Sequence, residues 1–323
     1  MKKYIILLLI MLVINKLAMT QDPFFSQYQS SPLTFNPALM GSGLIKDTRV
    51  SCISRNQWWG GSSQPYATNT VSLEKRIGAK TLDQDQFVLG LMLLNERSNG
   101  GVLSNTFASL GLSYRNSLDT AGNDVLSGGL IVSYSNRMID LSKASFQTQF
   151  GSFGFMQSAS NYDPISALNN KYIDMSMGIA YEHKSERVSY IVGGSLFHAS
   201  KPNAGVFNDT KYTINPRVVL HGAVTFTNGN KVDWTIDGNV QIQGEKQLFT
   251  LGTTYAKPVN AQQTFKIVAG VYERFGESLY PYLGMKATNW KFGLSYDVIQ
   301  SEVKTAFNSV QSIEASFVWE FGK

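Results

Sequence analysis

Apolar and polar residues alternate at every second position along much of the chain. Near the C-terminus, Ile313, Phe317 and Trp319 belong to the apolar set, and Ser312 and Glu314 to the polar set. The same alternation recurs over residues 108–114, 173–181, 232–243 and 290–298. Successive side chains of a β-strand point to opposite faces, whereas side chains on one face of a helix recur about every 3.6 residues. The pattern therefore predicts β-strands with one apolar and one polar face, and no long amphipathic helix after residue 45.

Counting these segments predicts fourteen strands. They span residues 48–57, 66–77, 85–97, 103–116, 124–139, 172–183, 187–199, 216–227, 232–243, 246–256, 263–275, 278–287, 290–300 and 308–321. The count is even, as single-chain outer-membrane barrels of bacteria require. Residues 144–157 are a candidate for a further strand.

Alternation by itself is also typical of a soluble β-sandwich or a secreted jelly roll. Two features favour a membrane barrel. The predicted strands run to about 10–13 residues, close to the roughly 9–11 of a tilted membrane crossing and longer than the roughly 5–6 of average strands. Aromatic residues also lie toward strand ends, as in an interfacial girdle. They are Trp290, Trp319, Phe321, Tyr114, Tyr134, Tyr181, Tyr190 and Tyr255. The sequence therefore predicts an all-β fold, a transmembrane antiparallel β-barrel of about 14 strands.

The predicted links between strands differ in length. Residues 140–171 and 200–215 form long links rich in Ser, Asn, Gly and Pro, whereas 183–187, 243–246 and 286–290 are short. Short turns of outer-membrane barrels face the periplasm, and long loops face outward. Short and long links do not alternate strictly along this chain, so their lengths suggest an orientation without deciding it.

The start of the chain has the order of a secretory signal peptide. Lys2 and Lys3 precede an apolar run from Tyr4 to Ile14, and Ala18-Met19-Thr20 offers a cleavage site. The run is about half of the roughly 20 residues that a membrane-spanning helix needs, which disfavours a retained anchor. We expect a signal peptide over 1–20, an N-terminal plug or periplasmic segment over 21–47, and the barrel over 48–323.

Composition agrees with a wall that has one face in lipid and one in water. Charged residues are 16% of the chain, against about 25% in typical soluble domains. The formal charge of +5 falls to +2 without the three lysines of the expected signal peptide. Charge therefore gives no indication of nucleic-acid binding. Cys52 is the single cysteine, which excludes an intramolecular disulfide and a cysteine-based zinc site.

Candidates for catalysis are few. The three histidines, His183, His198 and His221, lie in or beside predicted strands and form no metal-ligand motif. Ser195 lies three positions before His198, but residues three apart on a strand face opposite sides. We therefore predict no enzyme and no catalytic, metal-binding or cofactor-binding residue. A catalytic triad assembled from residues of different strands would make the protein an outer-membrane hydrolase, and this alternative stays open.

Several polar and glycine positions have structural interpretations. Asp233, Asp237 and Glu314 face inward in the predicted strands, and we interpret them as solvated lumen residues. Gly128-Gly129 and Gly193-Gly194 are interpreted as bends of the wall, because neither pair precedes a helix or carries the other residues of a phosphate loop.

The segment from Gln21 to Gly61 differs from the rest of the chain. Asn36 precedes a proline and is pushed away from helical backbone. Aromatic residues here provide anchors for docking against the barrel wall or in its lumen, and Arg55 offers directional hydrogen bonds at the end of the first strand. We predict that this segment seals the barrel or contacts a partner. The candidate residues are Phe25, Gln27, Tyr28, Asn36, Pro37, Arg55, Asn56, Gln57 and Trp58.

The same segment carries a resemblance to a known family. The residue blocks are Gln21-Asp22-Pro23, Phe25-Ser26-Gln27-Tyr28, Asn36-Pro37-Ala38 with Gly41, and Arg55-Asn56-Gln57-Trp58. Together they resemble the opening of the PorP/SprF family of Bacteroidetes outer-membrane proteins. Weaker blocks continue the resemblance at Ser72-Leu73-Glu74, 293–297 and 312–316. The chain departs from the family pattern at Leu39-Met40 and at Trp59-Gly60, where a proline is more usual.

The resemblance implies a non-enzymatic barrel of the cell outer membrane, in the type IX secretion and gliding-motility machinery. Such a barrel supports export, surface anchoring or motor coupling of a secreted surface protein. The implied partners are that surface protein, a type IX cargo or adhesin, periplasmic motor or ring lipoproteins of the secretion system, and outer-membrane lipid, with no nucleic acid and no cofactor. A solute channel or hydrophobic-substrate transporter is the alternative, because plugged fourteen-stranded barrels also serve transport.

Overall fold

The described part of the chain in the computed structural model is residues 22–59, 65–77, 85–144, 146–151, 154–156, 168–205, 212–260, 262–301 and 311–322. The expected signal peptide over 1–20 lies outside these residues, as does Gln21. No helix within the described ranges has the length and apolar character needed to cross a membrane.

Fourteen strands close into an antiparallel barrel. The described residues contain sixteen strands, of which all but the short β6 and β7 belong to the barrel. In chain order they are β1 (Thr48–Trp59), β2 (Tyr66–Ile77), β3 (Gln86–Ser98), β4 (Leu103–Ser117), β5 (Asp124–Ile139), β6 (Phe150–Gly151), β7 (Gly154–Phe155), β8 (Leu168–Lys184), β9 (Val188–Phe197), β10 (Arg217–Thr227), β11 (Asp233–Gln243), β12 (Lys246–Pro258), β13 (Lys266–Arg274), β14 (Ser278–Lys286), β15 (Trp290–Ile299) and β16 (Gln311–Phe321). Pairing of β1 with β16 closes the wall, so its backbone groups are satisfied as a membrane requires. The prediction of a fourteen-stranded barrel is confirmed. The candidate strand at 144–157 is wrong as a barrel strand, because β6 and β7 pair only with each other.

The two faces of the wall follow the alternation of the sequence. On β16, Ile313, Phe317 and Trp319 are 40%, 43% and 44% exposed, while Ser312 and Glu314 are fully buried. Apolar residues therefore cover the outside and polar residues face the lumen, the arrangement of a barrel in lipid.

The two ends of the barrel differ in their links. The links after β5 and β9, residues 140–167 and 198–216, are the longest and leave the same end. The first residue of β1 and the last of β16 lie at the other end, where the links are short. Long loops of outer-membrane barrels are extracellular, so the first end is extracellular and the second periplasmic. The tight turn over 243–246 lies at the extracellular end, contrary to the expectation from its length, because strand order decides the end at which each link lies.

Aromatic side chains ring the periplasmic end of the outer wall. Phe87 and Tyr114 have ring centroids 4.9 Å apart, and those of Trp319 and Phe321 are 4.7 Å apart. The same end carries Tyr181, Tyr190, Trp234, Tyr255 and Trp290. Tyr134, also expected in a girdle, lies in the extracellular half of β5. The ring marks a membrane interface, where an amphipathic aromatic side chain is most stable.

Candidate functional site

Residues 22–47, which we call the plug, cross the lumen from its extracellular half to the periplasmic end. Asp22 contacts His198, just beyond β9, and Ile45 contacts Glu320 near the end of β16. Three single turns shape the plug: 3-10 turns at Tyr28–Ser30 and Pro37–Leu39, and an α-helical turn at Pro32–Phe35. Proline stands first in two of these turns, where its fixed φ and missing N–H cost nothing.

Two arginines and two carboxylates hold the plug at Ser26. The Arg55 guanidinium donates to Ser26 Oγ at 2.6 Å and pairs with Asp297 at 2.8 Å and Glu314 at 3.1 Å. Arg274 reaches Ser26 Oγ at 3.0 Å and Asp297 at 3.2 Å. All five residues are at most 2% exposed. We call this group the Ser26 clamp; its buried charges are stable because each has a partner of opposite sign.

The carboxylate of Glu314 also binds the plug backbone. It accepts the N–H of Ser26 at 2.8 Å and that of Gln27 at 2.7 Å. Gln27 is itself fixed, since its Nε2 donates to the Glu314 carbonyl at 3.0 Å and its Oε1 accepts from Ser316 Oγ at 2.6 Å. Ser26 and Gln27 of the Phe-Ser-Gln-Tyr block are thus each hydrogen-bonded to the wall.

Lumen carboxylates expected to be solvated are buried instead. Glu314 is 0% and Asp237 4% exposed. Asp237 accepts hydrogen bonds from the Tyr28 hydroxyl, from Gln29 Nε2 at 2.5 Å and from the Tyr272 hydroxyl at 2.9 Å. The expectation was wrong for these two residues because the plug displaces the water that would have solvated them.

Aromatic residues complete the extracellular half of the plug. The Phe24 ring lies 4.4 Å from the guanidinium of Arg274, a cation–π contact. Phe25 is 3% exposed and packs in a cluster with Ile53 and Leu94. These contacts exclude water from the Ser26 clamp, which strengthens its ion pairs.

Opposite the clamp, the wall presents glycines to the plug. We call this surface the glycine groove: Gly90, Gly111, Gly129 and Gly178, on β3, β4, β5 and β8. A Cβ atom at Gly178 would lie 2.0 Å from Asn36 Oδ1, and one at Gly129 would lie 2.3 Å from the carbonyl carbon of Pro37. Only glycine permits this approach, so the groove is a seat for the Asn36–Pro37 turn.

Asn36 joins that turn to the wall. Its Oδ1 accepts the N–H of Ala38 at 2.9 Å, and its Nδ2 donates to the Ile179 carbonyl at 3.1 Å. The side chain is fully buried, and its backbone is extended, as expected before proline. The Asn-Pro-Ala block is therefore a docking turn of the plug.

At the periplasmic end, carboxylates of the wall accept plug N–H groups. Glu74 accepts the N–H of Gly41 at 2.8 Å and pairs with Arg49 at 2.6 Å. Glu320 accepts the N–H of Ile45 at 2.8 Å. The plug is consequently held along its whole length before it enters β1.

The first described residue of the plug belongs to a second charged group. Asp22 lies 2.6 Å from His198 Nε2 and 3.1 Å from Arg217 Nε, and His198 Nδ1 lies 2.7 Å from Asp174. Burial alone would lower the pKa of His198, but the two carboxylates outweigh it and raise that pKa to about 9. Burial would raise the pKa of Asp22, but His198 and Arg217 hold it below its usual value. At neutral pH the group is therefore a charged anchor.

Raising the pH is expected to loosen this anchor. The pKa of His198 is about 9 in the folded protein against an ordinary 6.5. The stabilisation from its charge is therefore fully present below pH 6.5 and lost as the pH rises through about 9. On a detergent gel, an unheated closed barrel migrates differently from the boiled, unfolded chain. We expect the midpoint temperature at which this unheated gel band is lost to fall by several degrees between these pH limits. The His198→Gln variant should lose most of that pH dependence; an unchanged pH dependence in it would contradict the assignment.

Comparison with known proteins identifies the chain. The family described as type IX secretion system membrane protein PorP/SprF matches residues 18–318. The chain belongs to this family. Among curated proteins, none matches it by sequence. The protein is an outer-membrane β-barrel, and the resemblance expected from its N-terminal blocks is confirmed.

Solved structures similar to this PorP/SprF barrel include transporters and channels for aromatic hydrocarbons. The toluene transporter TbuX of Ralstonia pickettii has a TM-score of 0.52 at 10% identity, over 90% of this chain and 93% of TbuX. A TodX deletion mutant, a monoaromatic hydrocarbon channel, has a TM-score of 0.50 at 10% identity, over 90% and 93%. The monoaromatic hydrocarbon channel CymD has 0.50 at 9% identity, over 91% and 93%. At such identities the similarity concerns the fold alone.

The candidate residues of the PorP/SprF chain divide into two groups. Those at the plug's contacts with the wall are Phe25, Gln27, Tyr28, Asn36, Pro37 and Arg55. Asn56 is exposed on the outer face, and Gln57 and Trp58 are half-buried at the extracellular end of β1. Trp58 forms a bulge with φ 62° and stacks edge-on against Tyr66 at 5.0 Å. Arg55, Asn56 and Gln57 do not act as one hydrogen-bonding surface, because strand alternation sends neighbours to opposite faces.

The acidic partners of the plug were not predicted as site residues. Glu74, Asp297 and Glu314 each lie in one of the weaker PorP/SprF blocks quoted from the sequence. An acidic residue at an inward position of such a block was the available signal. Whether such an acid forms an ion pair depends on the strand that carries the basic partner. The alternation of apolar and polar residues does not reveal that strand.

Two interpretations of wall residues need correction. Ser195 and His198 are both buried, 6% and 5% exposed, because β9 ends at Phe197 and His198 has a left-handed φ of 55°. They still form no catalytic pair: Ser195 Oγ donates to the Phe35 carbonyl at 2.7 Å, and carboxylates face both ring nitrogens of His198. Gly129 belongs to the glycine groove, so its role is space for the plug rather than bending, whereas a Cβ at Gly193 would lie 2.7 Å from His221 Nε2 of the wall.

Proposed function

We propose that this PorP/SprF protein is a closed, non-enzymatic dock in the outer membrane, which supports export, surface anchoring or motor coupling of a secreted surface protein. The observation that supports this is the plug, bound by buried ion pairs on one side and seated in the glycine groove on the other. The Ser26 clamp connects it to β1, β13, β15 and β16. A plug held from both sides is a rigid part of the barrel, so its ends and the loops are the surfaces offered to partners.

The proposed partners follow from the two ends of the barrel. The long loops would meet the secreted surface protein, a cargo or adhesin. The periplasmic end would meet motor or ring lipoproteins of the secretion system. Both contacts are available to a barrel that stays closed. A dock of this kind therefore binds partners at both ends without opening a pore through the membrane.

Co-purification from native outer membranes tests the dock. A tagged barrel should bring down a large exported surface protein and periplasmic lipoproteins of the secretion machinery, and its deletion should remove the surface protein from the cell exterior. An unrelated outer-membrane barrel with the same tag is the control. Isolation of the barrel alone, with surface display unchanged in the deletion strain, would contradict the proposal.

A solute channel or hydrophobic-substrate transporter is the second candidate, favoured by the fold shared with TbuX and the hydrocarbon channels. The lumen cavity beside the plug is lined by charged and hydroxyl side chains, among them Asp237, Lys286 and Lys291. An apolar solute binds best in an apolar pocket. We expect the wild-type protein to give no conductance in planar bilayers; ready conduction or uptake of a solute would favour the transporter.

A further inference from the structure

Three lysines stand side by side at the periplasmic end of the lumen. Lys266 on β13 is the register partner of Lys286 on β14, and Lys286 is the register partner of Lys291 on β15. Lys286 and Lys291 line a lumen cavity of about 350 Å³. Like charges directly opposite each other on neighbouring strands repel. Such a row is therefore stable only with negative charge close to it.

The surrounding carboxylates are already engaged. Asp233 pairs with Lys266 at 2.6 Å, and Glu74 pairs with Arg49 at 2.6 Å. Glu320 accepts plug N–H groups at 2.8 Å and 3.4 Å. Within the described ranges, Lys286 and Lys291 form no ion pair with a carboxylate. Lys286 and Lys291 thus face the cavity without an ion-pair partner of their own among the described residues.

Two glycines lie next to these lysines on the lumen face of the wall. Gly284 and Gly293 are register partners. Each lies two residues from a lysine of its own strand, on the same lumen face and farther from the periplasmic end. The Tyr282 side chain occupies the space they leave, since a Cβ at Gly284 would lie 2.5 Å from its hydroxyl. Tyr282 also lines the cavity, as does Gln29 of the plug. The cavity therefore offers two ammonium groups and the Tyr282 hydroxyl, the chemistry that binds carboxylates. Its own carboxylates are engaged elsewhere: Asp233 pairs with Lys266, and Asp237 accepts from the plug and from Tyr272.

The shape of the lumen favours an extended ligand from the periplasm. A second cavity of about 600 Å³ adjoins the first, since both are lined by Ala223 and Thr225. Its wall includes plug residues 41–45 and Lys184, at the periplasmic end of β8. Toward the outside, the first cavity ends at Ser26 and Gln27 of the plug. Both volumes lie within the range of roughly 300–1,000 Å³ that is typical of ligand-binding pockets.

We propose that Lys286 and Lys291, with Tyr282, bind a carboxylate-rich peptide segment of a protein that approaches the barrel from the periplasm. The inference deepens the proposed function, since it gives the chemistry of a periplasmic partner. The segment neutralises the lysine row, and one of its backbone carbonyl groups accepts a hydrogen bond from the Tyr282 hydroxyl. A closed plug leaves the periplasmic mouth as the entrance.

Peptide binding to the full chain in detergent tests the site. The probe is a fluorescein-labelled polyglutamate peptide, with a glycine-serine peptide of equal length as its neutral control. Wild-type protein should prefer the acidic peptide, and the double variant Lys286→Gln with Lys291→Gln should bind it at least about tenfold more weakly. Lys257→Gln is the matched control, because Lys257 is exposed on the outer face at the same end. Equal affinity in the double variant, or no preference for the acidic peptide, overturns the proposal.

Two further measurements separate the sources of failure. Sodium phosphate should displace the peptide no better than sodium chloride of the same ionic strength; selective displacement by phosphate would instead make this a small-anion site and overturn the peptide proposal. Surface display in cells tests the dock independently. Display that requires the barrel but not the two lysines sinks this inference alone, whereas lysine-dependent binding with display independent of the barrel sinks the proposed function alone.

Discussion

Replacing Arg55 with methionine is expected to release the plug and open the lumen to ions. The change leaves the Glu314 carboxylate buried without its cation, while Asp297 keeps Arg274. Removing one partner of a buried ion pair typically costs about 3–5 kcal/mol. Since Glu314 also holds the backbone of Ser26 and Gln27, the cost should fall on the plug first. We expect a lower midpoint temperature for the unheated gel band and conductance steps in planar bilayers.

Neighbouring substitutions supply the controls for Arg55. Asn56→Ala changes the next residue, which is exposed on the outer face, and should leave both readouts as in the wild type. Arg55→Lys keeps the charge but loses the planar guanidinium that reaches two carboxylates. Its midpoint temperature and its conductance should therefore lie between those of the wild type and those of Arg55→Met. An Arg55→Met protein with an unchanged midpoint and a closed lumen would refute the role of the Ser26 clamp.

Adding one methyl group at Gly129 is expected to displace the plug from the glycine groove. The new Cβ would lie 2.3 Å from the Pro37 carbonyl carbon and 2.6 Å from the Ala38 nitrogen. These are backbone atoms of a turn fixed by Asn36, so they cannot move aside as a flexible side chain would. Overpacking of this kind costs about 1–3 kcal/mol. Hydrogen exchange should therefore accelerate at the amides of Ala38 and Gly41, which are bonded to Asn36 and Glu74.

The preceding residue provides a close control for this substitution. Gly128 faces outward, and a Cβ there meets nothing within 4 Å. Gly128→Ala carries the same change of residue type on the same strand and should leave exchange and thermal midpoint unchanged. If both variants behaved alike, the effect would belong to the strand backbone rather than to the groove.

Most of the fold could be predicted from local pattern. Alternation over β16 and β11 assigns each residue to the lipid or the lumen face, because a strand has only two faces and only one of them meets lipid. The same rule separates Arg55 from Asn56. Link length was a weaker guide: the tight turn over 243–246 lies at the extracellular end, since hairpin order rather than loop size determines where a link lies.

The candidate site was predictable only within the N-terminal segment, which supplies the plug and Arg55 of β1. Phe25, Gln27, Asn36 and Pro37 stand out because aromatic and turn-forming residues are concentrated in one short segment. Their wall partners are scattered over strands far apart in the chain, as with Arg55 and Asp297, 242 positions apart. Single inward acids such as Glu314 look the same in sequence whether water or a plug lies against them.

The sequence by itself determined a barrel of fourteen strands, its family and the segment that distinguishes it, because strand periodicity and turn chemistry are local properties. Only the tertiary structure decided that residues 22–47 of this segment cross the lumen, that Glu314 and Asp237 are buried, and that Gly129 and Gly178 form a seat for the Asn36–Pro37 turn. Closing the barrel brings β1, β13, β15 and β16 around one serine. The ion pairs there depend on distances across the lumen, and no local pattern encodes which charges meet.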